Sequence, residues 1–221
     1  VQALDLSAFL YKISIWTIPV LFAITLHEVA HGWVARYFGD RTAEMLGRLS
    51  LNPLRHIDPI GTVLVPGILL AFGGPLIGWA KPVPVATKVL RNPRLSVTLV
   101  ALAGPLANFG MAIFWCLVFA AIVHVRGNET VVGWIVRMAD AGIVVNVILG
   151  LFNMLPVPPL DGGRVLLGLL PSEWGSRMEK IEPFGLVIVL GLSALGLLGW
   201  LFDPALRGVG RVINVLIGTP A

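Results

Sequence analysis

What most constrains this 221-residue chain is a set of five uncharged, mainly apolar runs: Ile13 to Leu26, Pro59 to Ala80, Leu95 to Val123, Ala141 to Leu160 and Pro183 to Phe202. Most of them reach the roughly 20 residues that a helix needs to cross the hydrocarbon core of a bilayer. Composition points the same way: 57% of the residues are hydrophobic, 13% are charged, and the mean hydropathy is +0.88. Those values exclude an ordinary soluble domain. The expected fold is therefore an all-α polytopic membrane protein with about five to six membrane-embedded helical segments. No repeat or long linker divides it, so residues 1–221 read as one membrane-embedded domain.

The net charge of +4 and the pI near 9.7 do not indicate nucleic acid. The basic residues are scattered over the loops between apolar runs, without interleaved aromatic platforms. They read as topology signals, since loops on the cytoplasmic side of a membrane are enriched in Lys and Arg. The first apolar run has no basic region before it and no small-residue cleavage site after it, so it is expected to be a retained helix. The lone cysteine, Cys116, reads as a small core- or lipid-facing residue.

The first helix is expected over Ser7 to Phe38, with Gly39-Asp40 as its stop. Residues 41–58 are polar and broken by Gly47, Asn52-Pro53 and Asp58-Pro59, which predicts a small irregular or β-containing element. Basic residues flank Pro59 to Ala80 on both sides, and Pro66-Gly67 and Gly73-Gly74-Pro75 interrupt it. A re-entrant hairpin satisfies the preference of both flanks for the cytoplasm better than one straight crossing. In the next run, Ala103, Gly104, Ala107 and Gly110 form a small-residue face suited to close helix packing, with Asn108 inside it. A helix from Val131 to Leu155 then meets LPVPPLDGG, where prolines forbid regular hydrogen bonding and the chain unwinds beside Asp161. Pro183 to Phe202 is expected as the last span, followed by a short interfacial helix.

The sequence HEVAH sets His27 and His31 four residues apart, so both imidazoles leave one face of a helix and can meet one metal ion. Glu28 points to the adjoining side, where a carboxylate can act as general base without taking a coordination position. Three ionisable groups among apolar neighbours are expensive in a membrane unless they are partnered or line a wet cavity. Two histidines leave zinc short of a ligand. Cys116, His124 and Asp161 are the candidates for the third, and Asp161 is the best placed, on bent backbone next to Gly162-Gly163. His124 suits an interfacial role, and His56, between Arg55 and Asp58, a structural or surface role. Asn108 and Asn146 suit interhelical hydrogen bonding.

HEVAH together with NMLPVPPLDGG resembles the site-2 protease family of intramembrane zinc metalloproteases, and AGPLANF and GWAKPVP resemble segments of its compact bacterial members. The resemblance implies one zinc ion per chain, held by His27, His31 and Asp161, with Glu28 as the catalytic carboxylate. It also implies that Asn153 helps to hold the substrate or to stabilise the developing oxyanion. The expected activity is hydrolysis of a peptide bond in or near the transmembrane segment of a single-pass membrane protein, within the lipid bilayer of a bacterial inner membrane. Residues 41–58 and 78–85 are expected to offer an edge for an extended substrate by strand addition. The rival readings are a metal-ion transporter, which leaves Glu28 without a purpose, and an inactive scaffold, against which the intact HEVAH and Asp161 speak.

Overall fold

The structure is a computed structural model that describes residues 6–65, 68, 80–171 and 180–218. Seven α-helices occur among them: α1 (Leu6–Tyr37), α2 (Thr42–Met45), α3 (Pro93–Ile122), α4 (Glu129–Asn153), α5 (Asp161–Leu169), α6 (Gly185–Ala194) and α7 (Leu197–Ile217). Helices α1, α3 and α4 contain stretches long and apolar enough to cross a membrane, and α6 with α7 passes the same test as one pair bent by 71°. The described residues thus hold three candidate spans, or up to four if the bent pair is one span, and do not confirm the expected five to six. Most of the segment expected to be re-entrant, 59–80, lies outside the described residues.

Local chemistry sets the helix limits. Helix α1 stops where Gly39 takes φ +103, a left-handed value that glycine adopts without strain. Helix α3 opens on Pro93, whose fixed φ suits a first helical position and whose missing N–H leaves no orphan donor. Helix α4 is capped by Asn128, whose side chain accepts from the amides of Thr130 and Val131. The expected single span over Pro183 to Phe202 is interrupted: α6 ends at Ala194, and Gly196 at φ +72 turns the chain into α7, which absorbs the predicted interfacial tail.

The element after HEVAH is irregular, and no strand occurs among the described residues. Pro53 and Pro59 lack the N–H that a ladder needs. Asn52 and Asp58 turn their side chains onto following amides instead, starting a 3-10 turn at Pro53–Arg55 and a π-type turn at Pro59–Leu64.

Helix α3 lies at the centre, packed on α1, α4 and α5, and α1 also meets α4. In lipid, association depends on close fit, because the acyl chains are as apolar as the side chains. Glycines supply the closeness: a Cβ on Gly142 would stand 2.4 Å from the Trp115 ring, and one on Gly150 would stand 2.7 Å from the Phe109 ring. Trp115, Phe119, Ala139 and Ile143 form the core of this α3–α4 contact, and Cys116 packs against it. That agrees with the apolar role expected for the cysteine.

Candidate active site

The i, i+4 spacing on α1 brings the imidazoles of His27 and His31 together, with Nε2 atoms 3.0 Å apart. The prolines of LPVPP end α4 and turn the chain back, so that α5 begins on Asp161. Its Oδ2 reaches 3.1 Å from His27 Nε2 and 3.3 Å from His31 Nε2. All three residues are buried, Asp161 with 8% of its surface exposed. Two glycines make this approach possible. A Cβ on Gly162 would lie 2.3 Å from the Met154 carbonyl oxygen, and one on Gly163 would lie 2.5 Å from the Pro158 nitrogen. Gly104 is equally tight on the other side, where a Cβ would sit 2.4 Å from His31 Nε2 and 2.6 Å from His27 Cε1.

The other ring nitrogens define what the trio can hold. His31 Nδ1 is 2.6 Å from the Val100 carbonyl oxygen, an acceptor only, so Nδ1 carries hydrogen. His27 Nδ1 is 2.6 Å from Asn108 Oδ1. The orientation of that amide is set by its own NH2, which donates to Ala23 O and to Asn146 Oδ1, while Asn146 Nδ2 donates to Gly142 O. Both Nε2 atoms therefore present lone pairs to a carboxylate oxygen, and Asp161 Oδ2 has no hydrogen-bond partner. Three converging acceptors repel one another unless a cation stands among them. The edges of a tetrahedron built on zinc bonds of about 2.0–2.1 Å are about 3.3–3.4 Å, and the observed separations of 3.0–3.3 Å come close to that. The residues fit a zinc ion, with the hydrogen-bonded Nδ1 atoms as the usual outer support of a ligating histidine.

Among the described residues, this is the one cluster of three or more His, Cys, Asp or Glu side chains able to share an ion. Of the candidates for a third ligand, Asp161 is brought to the histidines and the others are not. His124 instead pairs through Nε2 with the Leu216 carbonyl, and Cys116 lies in the α3–α4 core. His56 is buried, with 1% exposure, and donates from Nε2 to Ser50 O, away from the trio's ligand set.

Glu28 lies on the neighbouring face of α1, half-buried. Its Oε2 accepts from the Val83 amide at 2.7 Å. Pro82 and Pro84 have no N–H, so this is the sole amide donor between Lys81 and Val85. The lone N–H of residues 82–84, within the segment expected to offer a strand edge, is thus engaged by Glu28. Asn153 occupies the last turn of α4 and donates to Leu149 O at 3.0 Å, within its own helix, rather than to the trio. Sequence reasoning assigned no role at the histidines to Gly104 or to the Asn108 amide, and missed the Val83 amide altogether. The small-residue run around Gly104 and Asn108 was the only available signal, and it indicated close packing without naming the partner.

Comparison with known proteins gives the family. The sequence model of peptidase family M50 matches residues 119–194. YwhC of Bacillus subtilis, named a zinc metalloprotease, is 37% identical over 195 residues, covering 86% of this chain and 84% of its own. This chain belongs to peptidase family M50, the site-2 protease family. A second relative, Rip2 of Mycobacterium tuberculosis H37Rv, also named a zinc metalloprotease, is 32% identical over 86% of this chain and 73% of its own. The regulator of sigma-E protease RseP of Escherichia coli K12 is 29% identical over 89% of this chain and 45% of its own. No solved structure matches the chain. As an M50 member it is a zinc metalloprotease with apolar, membrane-embedded helices.

Proposed function

We propose that the chain hydrolyses a peptide bond in or near the transmembrane segment of a single-pass membrane protein, as a step of regulated intramembrane proteolysis. The observation that carries this reading is the buried convergence of His27 Nε2, His31 Nε2 and Asp161 Oδ2, with Glu28 on the adjoining face of the same span. The sigma-E regulatory name of the relative RseP supports the regulatory part.

His27, His31 and Asp161 would hold the zinc. When bound, zinc supplies Lewis-acid polarisation of the scissile carbonyl and lowers the pKa of water. Glu28 accepts the proton of the attacking water and returns it to the nitrogen of the leaving amine. The Val83 amide holds Oε2, while Oε1 makes no hydrogen bond among the described residues. Asn153 would donate to the developing oxyanion, since Nδ2 carries two hydrogens and spends one on Leu149 O. Residues 1–221 act as one membrane-embedded unit. The ends of α1 and α3 near the site carry Arg36, Arg41, Arg48, Arg55, Lys81, Lys88, Arg91 and Arg94 nearby in sequence, against Lys12 and Arg126 at the other ends. That asymmetry supports a multi-pass protein of the bacterial inner membrane, with the site open to the cytoplasmic side.

Glu28→Gln is the test. The variant is expected to keep one zinc per chain and lose at least about 100-fold in cleavage of a model transmembrane substrate. Wild-type protein that moves metal ions across vesicles and cuts nothing would overturn the reading.

A further inference from the structure

A second polar feature lies beside the site and has no part in the chemistry above. Arg48, Arg55 and Lys81, together with Leu46, Gly47, Leu54 and Ile57, line a shallow cleft of about 370 Å³ between the loop after α2 and the segment that enters α3. The Arg48 guanidinium donates to the carbonyls of Arg55, Lys81 and Pro82, and Arg55 donates to Gly47 O. Carbonyl oxygens orient these cations without neutralising them. No carboxylate lines the cleft, and no ion pair involves Arg48, Arg55 or Lys81 among the described residues.

None of the nearby acids lines the cleft. Glu44 pairs with Arg36 and Arg41, Asp40 accepts from Thr42 and Ala86, and Asp58 accepts from the amides of Ile60 and Gly61. Three positive charges thus face one cleft with donors to spare: a guanidinium has five N–H groups and an ammonium three.

A second observation says what kind of anion fits. The same loop leaves Leu46, Leu51 and Leu54 exposed at 63%, 61% and 72%, interspersed with Arg48 and Arg55. It follows Tyr37, the last residue of the α1 span, and folds back along that end of the helix: Leu49 fits over Gly32, and Leu49 and Leu51 line one groove with Val29 and Trp33. Exposed leucines interleaved with unneutralised cations at the end of a span match a headgroup region, with apolar groups toward the acyl chains and charge toward phosphate.

We infer that the Arg48–Arg55–Lys81 cleft binds the phosphate of an anionic lipid headgroup. A zwitterionic headgroup brings its own cation into the cleft and is disfavoured there. The ligand touches the segment that continues from Lys81 to the Val83 amide on Glu28, so the lipid site and the catalytic carboxylate share one short stretch of chain.

The test uses the full chain, purified in detergent. Its thermal unfolding midpoint is titrated with phosphatidylglycerol, with phosphatidylcholine and with inorganic phosphate. Phosphatidylglycerol is expected to raise the midpoint saturably, and the other two to do so far less. Lys81→Gln should weaken the phosphatidylglycerol response about fivefold, the effect of removing one cation near an anionic surface, and Lys81→Gln with Arg55→Gln roughly 25-fold. Arg126→Gln, at the opposite ends of α3 and α4, should leave it unchanged. If Arg55→Gln fails to fold, Lys81→Gln decides alone, because the Lys81 side chain makes no hydrogen bond among the described residues.

Equal responses to the two lipids, or an equal loss in Arg126→Gln, would overturn the site. A response to inorganic phosphate matching that to phosphatidylglycerol would keep the phosphate chemistry but overturn the lipid as its source. Variants that lose cleavage of a substrate with an acidic juxtamembrane segment, while keeping the lipid response, would make the cleft a substrate contact and refute the proposal. Binding is read without cleavage, so failure here and failure of the protease reading are separable.

Discussion

The bundle interior around Asn108 and the loop region around Arg48 both tie distant parts of the chain together, but with different chemistry. Inside the bundle the links are neutral. Asn108 joins His27, Ala23 and Asn146 across three helices, and both asparagines are fully buried. In the loop region the links are charged, with Arg48 and Asp40 gripping backbone carbonyls and amides of residues 81–86. The difference lies in how polarity is satisfied. In hydrocarbon an amide can satisfy its polarity with neutral partners and carries no charging cost, whereas Arg48 keeps its charge at a partly exposed site and Asp40, only 1% exposed, is stabilised by three donors from Thr42 and Ala86. Glu28 stands where the two regimes meet, on a bundle helix and held by a loop amide.

The comparison is broken most severely at Gly104. Its position against the two imidazoles leaves no space for a methyl group, so Gly104→Ala is expected to abolish stoichiometric zinc binding and cleavage together. Metal analysis and a cleavage assay on the same preparation check this. Asn108→Ala removes the Nδ1 partner of His27 and leaves the ligands in place. Zinc affinity should fall about 10–100-fold, the usual effect of losing such a partner, as measured by competition with a chelator.

Val83→Pro acts on the link between the regions. It deletes the hydrogen bond to Glu28 without touching the metal ligands, so kcat is expected to drop about tenfold with zinc content unchanged. The smallest effect belongs to the loop alone. Burial pushes the Asp40 carboxyl up, but the hydroxyl and amide of Thr42 and the amide of Ala86 together hold it below its ordinary value. A carboxylate depressed in the folded state adds stability that is present above its unfolded pKa of about 3.9 and is lost as pH falls through the folded value. Protection from hydrogen exchange at Thr42 and Ala86 should therefore be lost only in strong acid for wild type, and be reduced already at neutral pH in Asp40→Asn.

Features encoded within a few residues were legible in the sequence. His27 and His31 share a face because the helical period places them there, and Asp161 was indicated by the prolines and glycines that bend its backbone. Pairings between distant segments were not legible. Asn108 and His27 are 81 residues apart, and Val83 and Glu28 are 55 apart. No local pattern distinguishes an asparagine that supports a histidine from one that merely bridges helices. The strand option after HEVAH failed because side-chain caps at Asn52 and Asp58 offered the backbone an alternative to a ladder. The break at Gly196 was concealed by apolar residues on both sides, since hydropathy is blind to direction.

The contact at Gly104 has a mechanical consequence. Where α1 and α3 are separated by no more than a glycine, the two imidazoles lie in the plane along which the helices meet. Any tilt of one helix against the other, such as a bilayer of unsuitable thickness imposes, displaces the ligand atoms along with the helix axes. Such a tilt reaches His27 and His31 directly, through the contact at Gly104.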